Sequence, residues 1–498
     1  MQLLKILNFR FKIALASLTR NLPEFTIIIG SFFLFSTRFY PALNSDDALA
    51  VLMTQDFSFP EAIYCWGQNR GGSLVPLLAH YLHIWSGISS IWAESITHHI
   101  ILIIGYFCFR TILKSKFSKV VTAIIWFFPP FYFIGFVRYS WGILYSIFGM
   151  VIWLSNFYQE NQKKTVRVAI LLLISLLALA SIWVLDQAIV ILGVFALIQL
   201  FKKYRKTGSL KSTILSLETS LISSCALITL ITILKLKSLA VTSPLDHYHS
   251  SLINGIEEFL DSIHIIALSI FNVITFNTVN FVFSIYANLS IATIVCALFL
   301  LWKTNNLKTN LKWTFLLTSI SIAILLTILS SSWVFSNGVA RRYFSGIYLL
   351  SWIILLLLIE NGSTPKALKT LILLTVSIGS ISTVYHYKYI SPKRLTSKYQ
   401  IVKEFESLGK VGLIAEYWNS YGSSFFNPDL IKATPHDKST VRNWDYVDSV
   451  LAQDKIYFIR DMWLDTFPDQ IVQFGVKFIK VGEEQNIGDC WINQYKKD

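Results

Sequence analysis

The chain reads as a polytopic α-helical membrane protein of about eleven spans, closed at its C-terminal end by a small α/β domain. Three observations predict this. Of the 498 residues, 54% are hydrophobic and 14% are charged, and the mean hydropathy is +0.55, which is too apolar for a soluble protein of this size. Apolar runs near the length that crosses a bilayer, about twenty residues, recur along most of the chain; a membrane barrel would show alternating segments about half as long. From about Ser391 onward the composition changes to that of a soluble domain. The formal net charge of +14 does not point to nucleic acid, because the lysines and arginines fall mainly in short loops between apolar runs, where they set membrane orientation.

Taken in order, residues 1–21 carry Lys5, Arg10, Lys12 and Arg20 with apolar residues between them, a pattern that suits a short amphipathic helix on the inner membrane surface. The first span covers Glu24 to Leu43 and is a retained helix, since no small-residue cleavage pattern follows it. The second covers Trp92 to Leu113 and ends at Lys114, Lys116 and Lys119. A third and fourth, Val120 to Val137 and Ser140 to Tyr158, form a hairpin with Arg138 and Tyr139 at its outer tip. The fifth and sixth, Val168 to Leu185 and Gln187 to Phe201, turn around Asp186. Pro129, Pro130 and Asp186 interrupt short runs here, so one of these pairs suits a re-entrant segment. The seventh runs from Thr213 to Leu234, the eighth from Phe283 to Trp302, the ninth from Trp313 to Phe335, the tenth from Tyr343 to Ile359 and the eleventh from Leu371 to Tyr387. Every loop assigned inside is positive, including Lys163, Lys164, Arg167, the run 202–211, Lys303, Lys308, Lys312, Lys366 and Lys369. The N-terminus is therefore cytoplasmic and the tail extracytoplasmic.

This divides the chain into a membrane domain, 1–390, with outer loops at 44–91 and 235–281, and an extracytoplasmic α/β domain, 391–498. Within the second outer loop, SLINGIEEFLDSIHIIALSIF has helical periodicity with charges and is expected to lie along the membrane beside the first loop. In the tail, KVGLIAEYW, KIYFIRD and VKFIKVG read as strands, with DYVDSVLAQ and WLDTFPDQIVQFG as helices between them. Cys65, Cys108, Cys225, Cys296 and Cys490 show no metal-knuckle spacing. Cys65 and Cys490 share the outer face, so a disulfide between them is open but is the lesser reading.

The chemistry centres on Asn44 to Pro76. Asp46 and Asp47 lie just beyond an apolar segment, where a carboxylate can take a proton from an incoming hydroxyl. A bare acidic pair equally suits the cap of a helix beginning at Ala48. Next comes YCWGQNRGGSLVPLL: Gly71 and Gly72 permit a sharp turn or close ligand approach, Gln68 and Asn69 offer directional hydrogen bonds beside Arg70, and Tyr64 and Trp66 can pack on a sugar face. Read alone, this stretch is balanced against an ordinary turn. A third element, SNGVARRYFSGIY, brings Asn337, Arg341, Arg342 and Tyr343 to an outer helix end. Two arginines there run against the orientation rule and call for an anionic partner, for which a lipid phosphate suits the guanidinium fork; snorkelling to headgroups is the plainer alternative. Arg138 invites the same argument. The histidines His80, His83, His98, His99, His247, His249 and His264 make no zinc spacing and read as interfacial or packed.

The order of these parts, an acidic pair in SDDAL after the first span, then YCWGQNRGGSLVPLL, then NGVARRY at a late outer helix end, resembles the GT-C superfamily of polyprenyl-phosphate-sugar-dependent glycosyltransferases. Relatives there include protein O-mannosyltransferases, the aminoarabinose transferase of lipid A and many bacterial envelope transferases. The resemblance implies Asp46 as base with Asp47 beside it, Arg341 or Arg342 with Tyr343 holding the donor phosphate, and an acceptor site closed by Tyr417 and Trp418 from EYWNSYGSSFFNPDLIKATP; Arg138 joins the donor-phosphate set on its charge alone. It implies an inverting transferase of the bacterial cytoplasmic membrane that moves a sugar from undecaprenyl phosphate to a hydroxyl of an envelope glycan or lipid, with O-antigen-like glycan as the default acceptor. No cofactor is required by this reading; a divalent metal stays open but is not supported by the sequence, which shows no further clear acidic pair of the kind that metal-using oligosaccharyltransferases carry. The partners are a lipid-linked donor, the acceptor and membrane lipids, without nucleic acid. Two other classes stay open: a transporter or flippase of lipid-linked glycan, although the chain shows no paired halves with matching broken helices, and a non-catalytic envelope assembly factor.

Overall fold

The computed structural model describes residues 21–161, 163–214, 216–242, 253–304, 311–360, 364–387 and 396–498. The basic segment with Lys5, Arg10, Lys12 and Arg20, together with His247, His249 and Lys308, lies outside the described residues. Among those described, eight helices are long and apolar enough to cross a membrane: Ser90–Ile112, Ser140–Glu160, Lys164–Val184, Thr219–Leu239, Phe281–Lys303, Lys312–Ser330, Arg341–Ile359 and Lys366–His386. The broken pair Lys116–Phe127 and Phe131–Arg138 makes a ninth if it is one span. Two more apolar helices accompany them: Asn21–Phe35, which is shorter, and Ala188–Thr207, whose last turns carry Lys202, Lys203 and Arg205. The chain is thus a polytopic helical membrane protein with a sheet-bearing unit at its C-terminal end.

The first and third spans differ from expectation. The first helix stops at Phe35, and the backbone then turns through Ser36 to Tyr40 with Tyr40 N–H donating to Ser36 O at 2.9 Å. The third bends by 74°, because Pro129 and Pro130 withhold donors from the helix ladder. Its freed polar groups are taken up by the Lys366–His386 helix: Thr383 Oγ1 donates to Pro129 O at 2.7 Å, Ser380 Oγ to Phe128 O at 2.9 Å, and Phe131 N–H to Ser382 Oγ at 3.1 Å. Satisfying broken backbone internally is what permits a kink at membrane depth.

Ser90–Phe109 packs closely against Ser140–Glu160, where a Cβ on Gly105 would stand 2.2 Å from Ser146 Cα. Small residues let these helices approach without side-chain interdigitation. The Lys164–Val184 and Thr219–Leu239 helices lie at the periphery and present Leu172, Leu173, Leu176, Leu227, Ile228 and Ile231 outward, an apolar belt suited to lipid. Glu24 accepts from Tyr106 Oη and pairs with Arg110, joining the first helix to the second at the end remote from the Asp46 loop.

The segments expected as outer loops hold helices: Ser45–Gln55 and Leu74–Ser86 in the first, and the amphipathic helix Ile256–Ile274 in the second. The amphipathic helix is a neighbour of the late outer element, with Asn254 N–H donating to Ser330 O at 2.8 Å. The second outer loop also meets the first at an isolated bridge between Thr242 and Gly67. Ile256, Leu260, Leu268 and Phe271 are exposed along the helix.

The C-terminal unit is one mixed sheet of β1 (Val411–Ala415), β2 (Ile431–Pro435), β3 (Ile456–Arg460), β4 (Gln470–Gln473), β5 (Val476–Ile487) and β6 (Cys490–Lys497), in the order β2-β1-β3-β6-β5-β4. β2, β1 and β3 run parallel, and β6, β5 and β4 continue antiparallel. Strand alternation divides the apolar side chains: Leu413, Tyr457 and Ile492 join the core shared with the membrane helices, whereas Ile414, Phe458 and Tyr495 pack on the opposite face with Phe467 and Phe478. The unit therefore shares its core with the bundle. Of the two tail helices expected, Trp444–Leu451 forms. The stretch WLDTFPDQIVQFG is a turn followed by β4, because Pro468 blocks helix continuation and the alternating Gln470–Gln473 pairs along β5.

Candidate functional site

The helix Ser45–Gln55 begins three residues earlier than Ala48. Asn44 is its N-cap, the Asn44 side chain accepting from Asp47 N–H at 3.2 Å and the Asp47 carboxylate accepting from Asn44 N–H at 3.3 Å. This reciprocal cap fixes which aspartate faces where. Asp47 points inward and is 6% exposed, while Asp46 is exposed.

Asp47 forms an ion pair with Arg138 at 2.6 Å. Arg138 is also buried; its Nη1 donates to Phe35 O at 2.6 Å and its guanidinium lies 4.2 Å over the Tyr40 ring. Burial pushes the Asp47 carboxyl up, against the pull of Arg138. The sequence offered Arg138 as a phosphate ligand; here its charge is already met by Asp47. A small cavity bordered by Phe35, Thr37, Ser95, His98 and Arg138 has room for about one water molecule.

Asp46 faces the C-terminal unit instead. The Tyr417 hydroxyl donates to Asp46 Oδ1 at 2.6 Å, and Arg442 Nε donates to Tyr417 Oη at 3.4 Å. Burial, and after it the Asp46 charge, holds the Tyr417 phenol well above its ordinary range, so this hydroxyl stays a donor. The helix and the sheet unit are held in register by Ser45 Oγ donating to Tyr417 O, Gly422 N–H donating to Ser45 Oγ at 3.4 Å, and Tyr446 Oη donating to Asp56 at 3.2 Å. On the same side the Arg38 guanidinium sits 3.2 Å over the Tyr399 ring.

The YCWGQNRGG stretch is a compact turn. Tyr64 bridges Gly72 across it. Tyr64 and Trp66 are 2% and 1% exposed, and Trp66 packs on Tyr446 with centroids 5.2 Å apart, so the Trp66 ring serves the join between loop and sheet unit. Gln68 and Asn69 are half-buried, and Arg70 Nε donates to Gln68 Oε1 at 3.4 Å. Gly71 has φ +65°, and Gly72 N–H donates to Trp183 O at 3.0 Å. A Cβ on Gly72 would lie 2.3 Å from Trp183 O, whereas one on Gly71 meets nothing nearer than 3.8 Å. Gly72→Ala is therefore expected to destabilise the folded protein by about 1–3 kcal/mol through overpacking, and Gly71→Ala by about 1 kcal/mol through its left-handed backbone. Thermal unfolding of the two purified variants checks the order.

Arg70 extends over the Trp333 ring at 4.3 Å, and Asn337 Nδ2 donates to Trp333 O at 2.8 Å. The first loop thereby meets the late outer element. Arg341 stacks 4.2 Å over Tyr132 and donates from Nε to Ser269 Oγ at 2.8 Å. Arg342 is exposed beside Tyr343, whose ring stands edge-on to Trp141. His80, His83 and His98 bond to backbone carbonyls of Thr54, Ile88 and Val137. Cys65 and Cys490 are both free thiols, and burial pushes Cys65 up to about 11.

Sequence reasoning missed Arg38, Tyr40 and Arg442. Arg38 carries the signal that marked Arg341 and Arg342, a cation at an outer helix end. Arg442 lies in a soluble loop with no spacing to betray it.

No protein-family model matches the chain, and no curated protein matches its sequence. Among solved structures it is similar to ArnT from Cupriavidus metallidurans in the apo state and bound to undecaprenyl phosphate, at 9% identity, with TM-scores of 0.44 and 0.45, covering 96% of this chain and 98% of ArnT. It is also similar to the archaeal oligosaccharyltransferase AglB from Archaeoglobus fulgidus in complex with an inhibitory peptide and a dolichol-phosphate, at 11% identity and a TM-score of 0.42, covering 88% of this chain and 69% of AglB.

Proposed function

We propose that this chain is an inverting glycosyltransferase that moves a sugar from a polyprenyl phosphate to a hydroxyl of a cell-envelope acceptor at the outer face of a bacterial cytoplasmic membrane. The observation that carries the reading is Asp46: an exposed carboxylate at a helix start, oriented by the Tyr417 hydroxyl at 2.6 Å and separated by its cap from the structural Asp47. Asp46 takes the proton of the acceptor hydroxyl, whose oxygen attacks the anomeric carbon as the bond to phosphate oxygen breaks. Phosphate leaves without a strong general acid once its charge is neutralised. Arg341 and Arg342, with Tyr343 beside them, supply that charge at the lipid surface. Tyr417 and Trp418 close the acceptor side. Asp47 and Arg138 act one layer below, as the ion pair that fixes the helix start.

Incubation of the purified protein in nanodiscs with undecaprenyl-phosphate sugars and envelope glycan tests the class. Glycosylated acceptor and free undecaprenyl phosphate are expected in equal amounts. Movement of intact donor between leaflets without cleavage would establish the transporter reading instead. Arg341→Ala is expected to lower kcat/KM for the lipid donor by about 10²-fold, and Arg341→Lys to recover part of it, because the ammonium keeps the charge but loses the fork. Steady-state kinetics over donor concentration reads this directly.

A further inference from the structure

The parallel half of the sheet ends beside Tyr417. β1, β2 and β3 stop at Ala415, Pro435 and Arg460, and the next residues, Glu416, His436 and Asp461, emerge side by side. In sheets with parallel strands the carboxyl ends are where ligands bind. His436 N–H donates to Ala415 O at 2.7 Å, and both Glu416 N–H and Asn419 Nδ2 donate to Asp461 Oδ2 at 3.1 Å. The other carboxylate oxygen, Asp461 Oδ1, is shielded from solvent and has no hydrogen-bond partner among the described residues. Asp461 therefore anchors Glu416 and Asn419 at the strand ends from within.

Aromatic side chains follow the same strand ends. Trp418 is 49% exposed although it belongs to the tightly packed Glu416–Ser424 turn, and its ring lies edge-on to Tyr417 with centroids 5.0 Å apart. His436, the first residue after β2, stacks on Trp463 at 4.1 Å and 11°. Aromatic faces beside carboxylate and amide groups match the two surfaces of a sugar ring, apolar C–H faces and a hydroxyl rim. The two carboxylates disfavour an anionic or lipid ligand. A cation is a poorer fit, since no three His, Cys, Asp or Glu side chains among the described residues are grouped to hold a metal ion.

We infer that the carboxyl end of β1, β2 and β3 is a saccharide-binding subsite that holds neutral sugar residues of a glycan acceptor beside Asp46. Trp418 is the stacking platform, Glu416 accepts from sugar hydroxyls, Asp461 holds Glu416 and Asn419 in place from behind, and Tyr417 joins this rim to Asp46. The acceptor is then a glycan, not a lipid headgroup or a peptide. This rests on the glycosyl-transfer reading of Asp46, but binding can be measured apart from transfer.

The test is direct binding of the full-length protein, in nanodiscs free of glycoside detergent, to an array of bacterial surface oligosaccharides, with peptides and phospholipid vesicles as controls. The wild type is expected to retain at least one neutral oligosaccharide. Trp418→Ala and Asp461→Asn are each expected to weaken that binding at least tenfold, while Asp46→Asn, which strikes transfer, leaves it within about twofold. Trp418 is half exposed, so its variant stays informative if Asp461→Asn fails to fold. Wild-type capture of peptides or vesicles alone, capture of nothing, or equal retention by both rim variants would overturn the inference. Glycan binding that survives when no donor cleavage occurs would overturn the transferase reading and leave the subsite standing.

Discussion

Asp46→Asn is expected to remove most of the proposed sugar transfer, lowering kcat/KM by about 10²- to 10⁴-fold with unchanged folding and donor binding. The substitution keeps the shape of the side chain and its capacity to accept from Tyr417 Oη, so the loss reports the missing base. Asp47→Asn is expected to behave differently. Asp47 is buried against Arg138 and completes the cap with Asn44, so its variant loses stability first and activity through the displaced helix start. Rates at saturating acceptor, read together with melting temperatures for both variants, separate the two roles. Equal loss of activity at unchanged stability in Asp47→Asn would transfer the base assignment to Asp47.

The largest stability effect is expected at Arg138. Arg138→Met leaves Asp47 charged and unpaired in a buried site, a change that typically costs about 3–5 kcal/mol. It also removes the contact to Phe35 O and the stacking over Tyr40. Combining it with Asp47→Leu removes the orphaned charge, so the double variant is expected to be more stable than Arg138→Met alone even though it forfeits the capping box. Thermal unfolding of the singles and the double gives the coupling energy. Additive losses would show that the pair does not work as a unit.

Much of this architecture was legible in the sequence because a bilayer imposes a length and a charge rule on every helix. Hydropathy alone located the apolar helices from Asn21–Phe35 to Lys366–His386. The kink at Pro129 and Pro130 was legible as an interruption, but the hydroxyls of Ser380, Ser382 and Thr383 that make it tolerable lie far along the chain. In the tail, β1, β3 and β5 were readable as apolar runs. β2, in LIKATP, and the edge strand β4 were not, because their strand character comes from pairing with neighbours and not from their own composition.

At the site, the acidic pair announced itself by its position, but the pair's division of labour did not. Asn44 could be recognised as a cap only once the helix start was known. Pairing of Asp47 with Arg138, and of Asp46 with Tyr417 and Arg442, joins segments remote in sequence, and such contacts leave no periodic trace. Tyr64 and Trp66 show the reverse: aromatics in a polar loop suggested a sugar platform, yet burial against Tyr446 makes Trp66 part of the seam between loop and sheet unit.

The most direct measurement of the central claim follows the anomeric signal of a lipid-phosphate-linked sugar by NMR while the nanodisc-embedded protein turns over with a hydroxyl acceptor. The account predicts a product of inverted configuration, formed in step with free polyprenyl phosphate by the wild type and not by Asp46→Asn. A product of retained configuration, or equal turnover by the two proteins, would contradict it.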